Sequence, residues 1–180
     1  MTRDLQHSIR QIEAVKPADL HQRRFRDQIV EFCRTHPDAL HRTCIEGHLT
    51  GSAAVVDPGR GAALILHHVK LDRWLQPGGH ADGEPDLAQV ALTEATEETG
   101  IEGLRVIEPA IDLDVHVIPA RPGEPEHLHL DVRFVVITPR HCEVDGNHES
   151  HDLAWWTPDG TGPNPDESTV RLLQAALSIV

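Results

Sequence analysis

Glu94, Glu97 and Glu98 crowd into a short segment that ends at Gly100 and is introduced by Pro77-Gly78-Gly79-His80. Carboxylate oxygens gathered this closely are hard donors suited to Mg²⁺ or Mn²⁺, ions that offset the charge of a phosphate chain and activate water. Their i, i+3, i+4 spacing puts all three on one helical face. At roughly 100° per residue that face begins with Leu87, Val90 and Ala91, so the acids continue a core stripe, and Gln89, Thr93 and Thr96 are left for solvent. A solvated acidic face is the simpler alternative, and two features weigh against it. Carboxylates near a helix C-terminus oppose the macrodipole, and unpaired charges beside an apolar stripe are costly. A bound divalent ion removes both difficulties.

A second ionisable set alternates along two strand-like runs. Asp112, Asp114 and His116 share one face against Leu113, Val115 and Val117. After a Pro/Gly loop from Pro119 to Pro125, His127, His129, Asp131 and Arg133 share a face opposed by Leu128, Leu130, Val132 and Phe134. Three readings are open: the wet side of an antiparallel pair, a His-x-His chelate for a transition metal such as zinc, or a cleft wall in which Arg133 and the histidines touch phosphate. His80 is a candidate for the same pocket, or simply a loop residue.

The elements that must position these groups follow from local signals. Asp86 can cap a helix, with Gln89 completing a capping-box pattern, or Pro85 can take its first position. Good helix formers fill the interior, and Gly100 supplies a left-handed end. Gly78 and Gly79 let backbone approach the site and adopt positive φ. Upstream, His48 to Val56 and Ala62 to His68 read as strands joined by the Asp57-Pro58-Gly59-Arg60-Gly61 turn. Downstream, Val135 to Thr138 continues a strand, and an acidic, His-rich loop from Glu143 to Asp152 leads into Leu153-Ala154-Trp155-Trp156. With three Trp, three Phe and no Tyr, the tryptophans are expected in the core. Asp166 to Ile179 closes as an amphipathic helix with Val170, Leu173 and Leu177 inward. At the other end, Leu5, Ile9, Ile12 and Val15 form one helical stripe; Phe25, Ile29, Phe32 and Cys33 form another after an Asp19 cap. Residues 1–42 are therefore expected to be a helical extension, carrying no recognisable chemistry and packing on the core or on a second subunit; residues 43–180 would be the main domain.

On these motifs the chain resembles the Nudix hydrolases. Gly79, Glu94, Glu97, Glu98, Gly100 and Ile101 fall in register with that family's signature, and the approach from Leu64-Ile65-Leu66-His67-His68 to Trp74-Leu75-Gln76-Pro77-Gly78-Gly79-His80 is typical of it. The resemblance implies an α/β/α sandwich on a mixed sheet, preceded here by the helical extension. It also implies a metal-dependent hydrolase cleaving the diphosphate linkage of a nucleoside-diphosphate-X type substrate. Glu94, Glu97 and Glu98 would hold Mg²⁺ or Mn²⁺, with Glu97 or a late glutamate, Glu149, accepting the water's proton; Asp152 is the next match to that late acid. Two departures stand out. Thr93 occupies the position of the arginine that orients the glutamates in the family, leaving Arg73, Arg105 or Arg133 as substitutes. Pro85 occupies the early glutamate position, with Glu84 one residue ahead of it and able to reach the site from the loop. These departures admit a non-catalytic nucleotide- or ligand-binding regulatory module. An isomerase of the isopentenyl diphosphate type, which needs a Cys–Glu pair, is disfavoured because no cysteine lies near the glycine loop or acidic helix in sequence.

The whole chain agrees with a small-molecule enzyme. At 180 residues it suits one core plus an appendage. A net charge of −13 argues against nucleic-acid backbone or anionic membrane as partner, though not against a phosphorylated, nucleotide-derived substrate, because bound cations invert the local sign. Cys33, Cys44 and Cys142 read as reduced thiols without a disulfide framework. The polar, charged run from Thr2 to Arg10 and the lack of a long apolar stretch make the cytoplasm the expected location. A homodimer is the default oligomer. Recognition of base, sugar and leaving group would fall to loops such as Ala120 to Glu126 and Gly146 to His151.

Overall fold

The computed structural model describes residues 2–140, 142–148, 150–160 and 162–180. The chain opens with α1 (Arg3–Ala14) and α2 (Leu20–Thr35), then β1 (Gly47–Asp57), β2 (Ala62–His68), β3 (Arg73–Leu75) and β4 (Gly78–His80). Next come α3 (Leu87–Thr99), β5 (Arg105–Ile118), β6 (His127–Ile137), β7 (Ser150–Trp156) and α4 (Glu167–Leu177). Capping side chains set the helix starts. Thr2, Asp19, Asp86 and Asp166 each accept a first-turn backbone N–H, at Leu5, Gln22, Ala88 with Gln89, and Thr169 respectively. Gly100, at φ 67°, ends α3 in the left-handed conformation that its lack of Cβ permits.

The seven strands make one mixed sheet in the order β3-β2-β1-β6-β5, with β4 on β1 and β7 on β2. β1 is central and buried along nearly its whole length. It runs parallel to β6, while β5 and β6 are antiparallel. On its other edge it changes partner, from β4 at Thr50–Ser52 to β2 at Val55–Asp57. Strand alternation divides the apolar residues between two cores. Leu49, Ala53, Val55, Leu130, Val132 and Phe134 pack with α1, α2 and α3 on one face. Ala54, Val56, Val135 and Trp156 pack with Leu172, Leu173 and Ala176 of α4 on the other. This is the expected α/β/α sandwich. Glycine brings the acidic helix close to the sheet: a Cβ on Gly51 would stand 2.8 Å from the Leu87 carbonyl and 3.0 Å from the Val90 side chain.

The first two helices belong to the same buried cluster, through Leu5, Ile9, Ile12, Val15 and Ile29. Polar contacts fix their seating. Gln22 donates to the Leu113 carbonyl and accepts from its N–H, both at 2.9 Å. Gln11 does the same at the start of α3, accepting from Leu87 N–H and donating to the Asp86 carboxylate, each at 2.8 Å.

The aspartate and arginine part of the polar face of β5 and β6 is not wet, while His116 and His129 open onto a cleft. Asp112, Asp114, Asp131 and Arg133 are all less than a tenth exposed, because they neutralise one another beneath α4. Arg133 donates to Asp131 at 2.7 Å and Asp112 at 3.2 Å, with Asp114 at 3.4 Å. Arg171 of α4 binds Asp112 and Asp114, and Ser168 donates to Asp114 and accepts from Arg133. Burial would raise the Asp114 pKa, but the hydrogen bond from His116, the Arg133 charge and the bonds from Ser168 and Arg171 together hold it well below the usual carboxylate range. Replacing Arg133 by Ala would strand buried aspartates without their main counter-charge. We expect a loss of about 3–5 kcal/mol in urea unfolding, whereas a change below about 1 kcal/mol would refute the structural role of this network.

Candidate active site

Where β1 trades β4 for β2, a cleft of about 460 Å³ opens, lined by β1, β2, β4, α3 and the facing ends of β5 and β6. All three clustered glutamates line it, as do Gly78, Gly79, His80 and His129. Glu98 is only 4% exposed and accepts a 2.9 Å hydrogen bond from Gly78 N–H. Glu94 lies so close over Gly79 that any Cβ there would collide with its carboxylate. A Cβ on Gly78 would likewise strike Ser52. The two glycines are thus required by close approach and not by the positive φ expected of them, which neither adopts: they let the glycine strand lie between β1 and the carboxylates. Gln89, Thr93 and Thr96 face solvent, as the helical phase requires.

Several expected residues lie elsewhere. Glu84 is exposed, and its carboxylate accepts from Asp86 N–H at 3.0 Å, so it braces the start of α3 and does not line the cleft. Arg133 is consumed by the aspartate network described above, since a buried guanidinium must be paired where it sits. Arg73 and Arg105 are exposed on β3 and β5. His127 is buried beside the cleft, its Nδ1 2.9 Å from the Pro125 carbonyl. Glu149 lies outside the described residues, and Asp152 is exposed on β7.

The arginine that does line the cleft is Arg42, the last residue of the stretch expected to carry no chemistry. It grips Asp82 through two hydrogen bonds of 2.8 and 2.6 Å, tying the approach to β1 to the glycine loop. That hydrogen bond holds its pKa above the ordinary value against burial, with the charges of Asp82 and Glu94 adding. Lys70, His68, Asn147 and His148 also line the cleft. Asn147 and His148 belong to the Gly146 to His151 loop expected to serve recognition and His68 ends β2, whereas Lys70 did not stand out in sequence, because a single polar residue in a connecting segment carries no periodicity. Cys33 and Cys44 are buried free thiols, pushed up to about 12 and about 11 chiefly by burial, and no described cysteine lines the cleft.

Strand register also assembles a histidine cluster. His48 pairs with His129 across β1 and β6, His116 pairs with His129 across β5 and β6, and His80 stands opposite Thr50 on β4. The ring centroids of His48 lie 4.9 Å from those of His80 and His127 and 5.0 Å from that of His129. Burial, aided by Arg42 and His48, lowers the His80 pKa to about 4. Burial and the surrounding histidines lower that of His129 to about 2. His48 is lowered by burial too, opposed by a contact with the Cys44 backbone. Beside them Asp131 accepts from Thr50 at 2.8 Å and Ser52 at 2.9 Å, which links the cleft wall to the buried network.

Comparison with known proteins agrees with this architecture. The family profile described as NUDIX domain matches residues 47–172. No curated protein matches the chain. Among solved structures, a NUDIX-family hydrolase from Clostridium perfringens aligns at 21% identity and TM-score 0.56, covering 73% of this chain and 97% of that one. The dihydroneopterin triphosphate pyrophosphohydrolase of E. coli aligns at 16% identity and TM-score 0.59, covering 73% and 96%. The NUDIX domain of Shewanella oneidensis NrtR, complexed with ADP ribose, aligns at 16% identity and TM-score 0.51, covering 73% and 86%. At these identities the likeness establishes the fold.

The depressed imidazoles give a sign to the pH dependence of stability. Between about pH 6.5 and their folded pKa values, the unfolded chain binds protons that the folded chain does not. Stability is therefore complete above about pH 6.5 and declines as pH falls. In the presence of a chelator, the melting temperature should drop between pH 7 and 5 (values set by the reference imidazole pKa of about 6.5), and less steeply in His129→Asn. Parallel curves for the two proteins would contradict the burial argument.

Proposed function

This chain belongs to the Nudix family, and from that premise we propose that it is a divalent-metal-dependent hydrolase acting on the diphosphate linkage of a nucleoside-diphosphate-X type substrate. The observation carrying this reading is the buried Glu98, held by Gly78 N–H on the same cleft wall as Glu94 and Glu97. Hard oxygens crowded at the negative end of a helix fit Mg²⁺ or Mn²⁺ as a donor set. Glu94, Glu97 and Glu98 would hold that ion, whose chemistry is to neutralise phosphate oxygens and acidify a water.

The remaining work falls to the chain's own groups. Glu98 and Glu94 are pinned against the glycine strand, whereas Glu97 is exposed to the cleft and suits the role of proton acceptor for the attacking water. Glu149 stays a candidate for the same role on the family resemblance. Arg42 and Lys70 supply positive charge for the phosphate chain. Arg42, held by Asp82 and near Glu94, also stands in for the guanidinium absent at Thr93. Asn147 and His148 put the loop expected to read the leaving group at the cleft.

The exposed Thr93 favours a second reading, a module that binds a nucleotide-derived ligand without cleaving it. Chromatography of the products, a nucleoside monophosphate and the phosphorylated remainder, from a panel of nucleotide sugars, dinucleoside polyphosphates and oxidised nucleotides with Mg²⁺ or Mn²⁺ separates the two. We expect turnover with at least one substrate and a loss of about 10²–10⁴-fold in Glu97→Gln. Activity retained within a few-fold would sink the mechanism, and ligand binding without any turnover would establish the module.

A further inference from the structure

We propose that His48, His80 and His129 form a second metal site, separate from the carboxylate wall, that takes a borderline divalent transition ion such as Zn²⁺. Each offers one donor nitrogen, and the three nitrogens lie within 4.8 Å of one another. The Nε2 atoms of His80 and His129 are already 3.2 Å apart. A tetrahedral ion with Zn–N distances of about 2.0–2.1 Å places its ligands about 3.3 Å apart, so this pair has the spacing of two ligands, and the third nitrogen, within 4.8 Å, has to close in to join them.

The state of His48 points to a missing partner. It is 3% exposed, yet its ring nitrogens make no well-formed hydrogen bond and have only a looser approach to the Cys44 backbone. Leaving a polar group buried and unsatisfied costs about 1–3 kcal/mol, and a ligand ion would remove that cost. Imidazole nitrogens suit zinc and its neighbours, whereas Mg²⁺ prefers oxygen, so the two donor sets of this cleft select different ions. Two more imidazoles border the three: His127, whose Nδ1 donates to the Pro125 carbonyl and whose buried Nε2 lies 3.8 Å from the Glu124 carboxylate, and His116, held by Asp114 at 2.9 Å. Burial keeps the rings of His80 and His129 neutral, and the hydrogen bond that now joins them through their Nε2 atoms would give way to ligation once that proton shifts to Nδ1. Because His80 and His129 line the cleft while His48 is buried, the coordination position left open faces the substrate space.

The test is zinc binding, read independently of hydrolysis. The chelator-stripped full chain is titrated with ZnCl₂ against a chromophoric chelator, with and without a large excess of Mg²⁺. One equivalent of Zn²⁺ should bind and resist Mg²⁺, weaken at least ~10-fold in His48→Ala and His129→Ala, and stay within a few-fold in the Glu97→Gln/Glu98→Gln double variant. Uptake that is absent, displaced by Mg²⁺, indifferent to both histidine changes, or lost with the glutamates would overturn the proposal. Should a histidine variant fail to fold, Co²⁺ added to the unsubstituted chain decides. Intense visible bands of a four-coordinate ion support the site, and the weak spectrum of an octahedral one refutes it. None of these readouts depends on the hydrolase reading, so either can fail while the other stands.

Discussion

A patch of buried charge holds this molecule in register. Asp112, Asp114 and Asp131 sit under α4 with Arg133 and Arg171, and each aspartate touches at least one guanidinium. Such a group of ions is tolerable only when its members meet one another with good geometry. It therefore constrains how β1, β5, β6 and α4 lie together. The network also reaches the cleft: the Asp131 carboxylate that accepts from Arg133 also accepts from Thr50 and Ser52 on β1. The strand that carries His48 and faces the glycine loop is pinned through the same atoms.

The cleft joins two chemically distinct halves. On one side, glycine permits carboxylates to press against backbone: Glu98 on Gly78 N–H and Glu94 over Gly79. On the other, cross-strand pairing sets His48 against His129 in an interior where burial lowers their pKa values. Positive charge enters between them from Arg42 and Lys70, on connecting segments. A chain with a net charge of −13 can in this way offer a locally favourable environment to an anionic substrate, since what matters at the site is the few nearest charges.

Much of this was legible in sequence, for identifiable reasons. Helical phase alone put Glu94, Glu97 and Glu98 on one side and Thr93 on the other, because the period of a helix allows no other arrangement. Period-two alternation likewise found the shared face of Asp112 to His116 and His127 to Arg133. What alternation cannot say is which side of a sheet is covered, and α4, which arrives from the far end of the chain, decides that. Arg133 thus went to structure and not to substrate. The histidine cluster was half visible as His-x-His. Its other members come from β1 and β4, and only the register of three strand pairs places His48, His80 and His116 around His129. Arg42 left no trace, being a single residue whose role comes from a loop forty positions later.

Gln11 has a consequence out of proportion to its size. It both donates to Asp86 and accepts from Leu87 N–H, so the N-terminal helix grips the root of the helix that carries the carboxylates at its tip. The acidic helix is thus clamped at both ends, by Gln11 at its root and by the Gly78 N–H at its tip, so the opening segment shares in fixing how deep the carboxylates sit.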